Sequence, residues 1–101
     1  MKLLTAEVRK RLPALGSQEL VPNPCVPVKF FDPCGSWGWY CIEFDGEDTF
    51  FGYVHGLEDE LGYFTMSDLL SVKGPLGLGI ERDIHWDPKT TLSQVKSGER
   101  K

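Results

Sequence analysis

No stretch of this sequence stays apolar long enough to cross a bilayer, and its amino end, MKLLTAEVRKRLP, lacks the apolar core of a secretory signal. Both absences make the cytoplasm the expected compartment. Basic residues are in deficit: 11 Lys and Arg stand against 15 Asp and Glu, for a net charge of −4 and a pI near 5.1. That balance argues against generic nucleic-acid binding, in which Lys and Arg neutralise phosphates. Paired metal-ligand motifs are missing too. Cys25, Cys34, Cys41, His55 and His85 include no C-x-x-C and no H-x-x-x-H spacing, so no metal centre and no cofactor is expected. An odd set of cysteines in a reducing compartment reads as free thiols, with Cys41 a small core hydrophobe in a strand. No nucleophile elbow surrounds any Ser or Cys. Gly74, Gly77 and Gly79 lack the Gly-Lys-Ser/Thr ending of a phosphate loop, and Asp45-Gly46-Glu47-Asp48 lacks the alternating ligands of a calcium loop. No catalytic residue is assigned.

Aromatic and apolar residues are what the chain does have. Of 101 residues 41% are hydrophobic, including three Trp, three Tyr and six Phe. Burying one such side chain is worth roughly 1.5–3 kcal/mol, so a single domain can fold without metal or disulfides. The densest stretch is Trp37 to Val54, WGWYCIEFDGEDTFFGYV, two strands joined by an acidic turn at Asp45-Gly46-Glu47-Asp48. Strict alternation places Trp37, Trp39, Cys41 and Glu43 on one face of the first strand and Gly38, Tyr40, Ile42 and Phe44 on the other. Large apolar groups on both faces mean that the hairpin is covered on both sides, or covered on one and left sticky on the other.

Around the hairpin, Thr5 to Leu12 is expected to be a short helix capped by Thr5 and stopped by Pro13. A connecting loop, Ala14 to Pro27, leads into a strand over Val26 to Phe31, which turns at Asp32-Pro33-Cys34-Gly35. A fourth strand follows over Leu61 to Thr65, then a short helix over Thr65 to Val72, a glycine-rich turn at Gly74 to Gly79, and a last strand over Ile80 to Trp86 with Ile80, Arg82, Ile84 and Trp86 on one side. The sum is one α+β domain over residues 1–88, a mainly antiparallel sheet of about four to five strands with one or two short helices. Residues 89–101 are expected to form a polar tail, poorly ordered from about Ser97.

Charge is segregated along this scaffold. Glu43, Asp45, Glu47, Asp48, Glu58, Asp59, Glu60 and Asp68 occupy a segment that contains no Lys or Arg. Polar turns ordinarily carry charge; the functional alternative is an acidic rim that engages a basic surface on another protein, since like potentials add over a small area. The residues assigned to such a rim are Asp45, Glu47, Asp48, Glu58, Asp59 and Glu60, with Trp37 and Trp39 as aromatic anchors.

The segments MKLLTAEVRKRLP, VKFFDP, GSWGWYCIEFDGEDTFFGYVHGLEDELGYFTMSDL and GPLGLGIERDIHW, spread over most of residues 1–88, are together similar to an uncharacterised family of small bacterial proteins, the DUF2958-like proteins. Residues 16–24 depart from that pattern. The family brings no catalytic or binding residues to carry over. The resemblance implies a setting on plasmids, integrative elements and prophage islands, where small acidic proteins block host defences or regulate transfer. The expected function is therefore a non-enzymatic protein-binding module, an anti-restriction or anti-CRISPR inhibitor whose partner is a basic nucleic-acid-binding host protein. One alternative is a small-ligand or nucleotide-binding domain, or an enzyme, with a pocket beside Gly74–Gly79. Another is a nucleic-acid module led by the basic first helix.

Overall fold

The hairpin forms the second and third strands of a five-stranded antiparallel sheet in a computed structural model that describes residues 2–73 and 77–98. Strands β1 (Val28–Phe31), β2 (Gly38–Phe44), β3 (Thr49–His55), β4 (Asp59–Thr65) and β5 (Glu81–Arg82) lie side by side in the order β4-β3-β2-β1-β5. Helices α1 (Ala6–Arg9), α2 (Met66–Ser71) and α3 (Leu92–Lys96) complete a small α+β fold. Each helix is opened by a threonine, Thr5, Thr65 or Thr91, whose side-chain oxygen accepts a first-turn N–H that has no partner within the helix.

Both faces of the hairpin are covered. On one, Phe30, Trp39, Cys41, Phe50 and Phe64 pack with Leu4 and Val8 from the α1 segment and Leu69 from α2. On the other, Tyr40, Ile42 and Tyr53 pack with Val26 and with Leu92 and Val95 of α3. The second cover corrects the expectation of a polar tail after residue 88. Val95 is fully buried, and the segment is stitched to residues 23–26 by Val26 N–H to Thr90 O at 2.6 Å and Leu92 N–H to Pro24 O at 2.9 Å. Two apolar residues at three-residue spacing suffice to dock a helix once a sheet face needs covering. Residues 99–101 lie outside the described residues.

Strict alternation fails inside β2. The register with β3 slips between Cys41 and Glu43, so Ile42 is an extra, unpaired residue, a β-bulge. The slip sends Phe44 to the Trp39 and Cys41 face, where it stacks on Phe50 at 4.4 Å between centroids. Glu43 is thereby turned to the Ile42 side, away from the face that alternation assigned it. Gly52 opposes the distortion: a Cβ there would lie 2.1 Å from the carbonyl oxygen of Tyr40, which only glycine permits.

The last strand is shorter than its pattern implied. Only Glu81 and Arg82 pair, with Phe31 and Phe30. Asp83 then turns the chain, its carboxylate accepting the His85 N–H at 3.0 Å and its carbonyl the Trp86 N–H at 3.2 Å. Ile80 consequently packs with the Phe50 core, Ile84 is exposed, and Trp86 lies against Tyr40 on the opposite side.

Candidate functional site

The carboxylates assigned to one rim sit at opposite ends of the sheet, because the hairpin strands run between them for seven residues, about 20 Å. Glu43 belongs to neither end. It is 4% exposed, and its two carboxylate oxygens accept the backbone N–H groups of Gly16 and Gln18 at 2.8 and 2.7 Å. Residues 16–24, which carry no pattern in the sequence, are thus pinned beside β2 by a carboxylate that the bulge aims at them.

At the β2–β3 turn the acids serve the turn itself. One oxygen of Asp45 accepts the N–H groups of Glu47, Asp48 and Thr49 at 2.8, 2.9 and 3.1 Å. Asp48 reaches α2, accepting the Ser67 N–H at 2.9 Å and the Ser67 hydroxyl at 2.8 Å. Arg9 closes over the same turn, donating to Gly46 O with its guanidinium above the Phe44 ring. Of the assigned rim residues here, only the Glu47 carboxylate accepts no hydrogen bond among the described residues. The N–H donors, those of Glu47 and Asp48 foremost, hold the Asp45 carboxyl below the usual carboxylate range. Because its folded pKa is depressed, Asp45 stabilises the fold above its unfolded value and loses that contribution as pH falls through the folded one. Asp45→Asn should therefore lower Tm at neutral pH, with the deficit shrinking below about pH 4 as the wild-type carboxylate is protonated. A deficit that stays constant down to the acid limit in paired thermal melts would contradict this account of the turn.

The opposite end differs. Trp37, 39% exposed, stacks on Trp39 at 5.9 Å and lies over Gly56, where a Cβ would come within 2.4 Å of its ring. Trp39 itself is 9% exposed and belongs to the core; it supports Trp37 and cannot anchor a partner directly, contrary to its assignment from sequence. Asp59 is engaged by His55 Nδ1 at 2.5 Å and by the Tyr53 hydroxyl at 3.0 Å. Burial, followed by this bond, pushes the Tyr53 phenol up, so it stays protonated and donates. Glu58 and Glu60 are exposed on either side of this cluster, next to Leu57 at 93% exposure. A shallow hollow of about 290 Å³ opens beside Trp37, Tyr40 and His55. Lys29 borders it, its ammonium 5.5 Å from the Tyr40 ring centre and 5.4 Å from that of Trp86. Aspartate fixes the histidine ring, and among the described residues no Ser, Thr or Cys hydrogen-bonds to His55.

Two larger concavities lie elsewhere among the described residues. A cleft of about 400 Å³ between residues 16–24, α3 and the sheet is lined by Glu43, Phe51, Tyr63 and Lys96, among others. Sequence reading missed it, since its wall is the unpatterned loop; the one available signal was that Phe51 and Tyr63 share a face. The other, about 480 Å³, lies beside Gly77 and Gly79, with Lys73 and Glu81 as its charged residues; residues 74–76 of that turn lie outside the described residues. Among the described residues no group of three His, Cys, Asp or Glu is placed to hold a metal ion, and no helix is long and apolar enough to cross a membrane. Cys25 and Cys34 are exposed free thiols and Cys41 is a buried one.

A family model described as a protein of unknown function (DUF2958) matches residues 3–100, and the chain belongs to that family. No curated protein and no solved structure matches it.

Proposed function

We propose that this DUF2958 protein is a non-enzymatic protein-binding module of a mobile genetic element, one that occludes a basic, nucleic-acid-binding surface of a host-defence protein such as a restriction or CRISPR component. The observation that carries this reading is the β3–β4 end of the sheet. There Glu58 and Glu60 flank the exposed Leu57 and the half-exposed Trp37, and Trp37 is held rigid by Trp39 beneath it. An aromatic anchor with an apolar neighbour and a charged fringe is the composition of a binding hot spot, and carboxylates that accept no hydrogen bond among the described residues lose little when a Lys or Arg approaches. The mobile-element setting rests on the family resemblance. The competing small-ligand reading is supported by the volume of the hollow beside Gly77, whose charged groups among the described residues are one Lys and one Glu.

Reversing Glu58 and Glu60 to Lys, with Asp59 left in place for Tyr53 and His55, should cut capture of basic host proteins by about tenfold or more and leave stability within about 0.5 kcal/mol. Quantitative affinity capture from host extract, compared with wild type at two salt concentrations, checks it. Equal recovery of the same proteins by the double variant would rule out the acidic fringe as the binding element.

A further inference from the structure

Strand β4 is an edge of the sheet among the described residues. It runs without a bulge for seven residues beside β3, and among the described residues no strand pairs with its far side. Which residues point outward follows from the bonds at its two ends. Met66 N–H donates to Asp48 O at 2.8 Å, and Gly56 N–H donates to Glu58 O at 3.3 Å. Both are in-register neighbours of the β3–β4 ladder, and hydrogen-bonded pairs alternate along an antiparallel ladder. Glu60, Gly62 and Phe64 therefore bond to β3, whereas Leu61 and Tyr63 direct their N–H and C=O groups away from it.

Natural edges are blunted by Lys, Pro, bulges or extreme shortness. The edge at β5 is two residues long. Strand β4, DELGYFT, has no Lys, Pro or bulge and carries its two charges, Asp59 and Glu60, at one end, and Leu61 and Tyr63, at 43% and 70% exposure, stand beside each other on one face. We infer that β4 pairs antiparallel with β4 of a second copy of this chain about a twofold axis at Gly62, joining the two five-stranded sheets into one.

The register is set by the strand itself. Outward-bonding residues must face outward-bonding residues, so position sums are even, and only pairing Asp59 with Thr65 uses the whole strand. That register opposes Leu61 to Tyr63 of the other copy, twice, and Glu60 to Phe64. No carboxylate meets a carboxylate: the two Asp59 residues fall about 20 Å apart, beyond the screening length of roughly 8 Å at physiological salt. The central pairs supply about four backbone hydrogen bonds and unite four exposed apolar side chains. Gly62 sits opposite its own copy, with nothing within 4 Å of where its Cβ would lie.

An interface of one strand is small, so association should appear at about 100 µM chain and vanish near 1 µM. Sedimentation velocity on the full chain measures this directly. Because each copy carries −4, added salt should strengthen the dimer, the opposite of its effect on capture of a basic partner. Tyr63→Lys should weaken association at least tenfold, and in a Cys25→Ser, Cys34→Ser background Gly62→Cys should oxidise to a disulfide-linked dimer while Glu58→Cys stays monomeric. Monomer mass at every concentration up to about 1 mM, or equal cross-linking at positions 58 and 62, would overturn the inference without touching the acidic-fringe reading.

Discussion

Gly52→Ala is expected to be among the most destabilising single substitutions in this protein, although it adds one methyl group. The added carbon would lie 2.1 Å from the Tyr40 carbonyl oxygen and 3.1 Å from the Cys41 Cα. Both are backbone atoms of β2 at the bulge, so no side-chain rotation relieves the clash. Relief requires moving the two central strands apart, which also loosens the rings packed across them. A loss of about 3 kcal/mol or more follows, lowering Tm by roughly 12–24 °C for a domain of this length. Gly62 is the internal control, since it pairs directly with Gly52 on β4 and has open space at its Cβ. Gly62→Ala should melt within about 0.5 kcal/mol of wild type. If circular dichroism melts place the two alanine variants together, the close approach at the bulge is not a feature of the folded protein.

Phe50→Ala should cost about 3–5 kcal/mol. Phe50 is fully buried, and three rings surround it: Phe44 at 4.4 Å, Phe64 at 5.3 Å and Phe30 at 5.6 Å. These come from β2, β4 and β1, so removing the central ring leaves a void walled by three strands that hydrogen bonding keeps from collapsing inward. Urea unfolding should show a lower midpoint at an unchanged slope. Phe51→Ala, one residue along on the half-exposed opposite face, should lose markedly less. A Phe50→Ala variant that loses under about 1 kcal/mol would remove the four-ring cluster as the centre of the core.

Features carried by neighbouring residues were legible in the sequence. The aromatic and β-branched runs flanking Asp45–Asp48 made the hairpin, Thr5 and Thr65 marked helix starts, and Asp32-Pro33-Cys34-Gly35 made its turn, with Gly35 N–H donating to Asp32 O at 3.2 Å. The α+β class followed from their order. Assignment of the surface acids went further than local pattern allows. A carboxylate in a turn looks the same in sequence whether it is spent on backbone N–H groups, as in Asp45, on a serine of a distant helix, as in Asp48, or left at the surface, as in Glu58 and Glu60.

Composition and short-range spacing alone determined the first four strands, where the first two helices begin, and that charge and aromatic residues concentrate in one central hairpin. Only the tertiary structure decided which way that hairpin faces. One inserted residue at Ile42 exchanged the sides of Glu43 and Phe44, burying an acid against Gly16 and Gln18 and completing a ring cluster. It decided as well that Leu92 and Val95 cap the second face and that β4, among the described residues, ends the sheet. Register, face and edge depend on partners far along the chain, and side-chain period records only a residue's relation to its immediate neighbours.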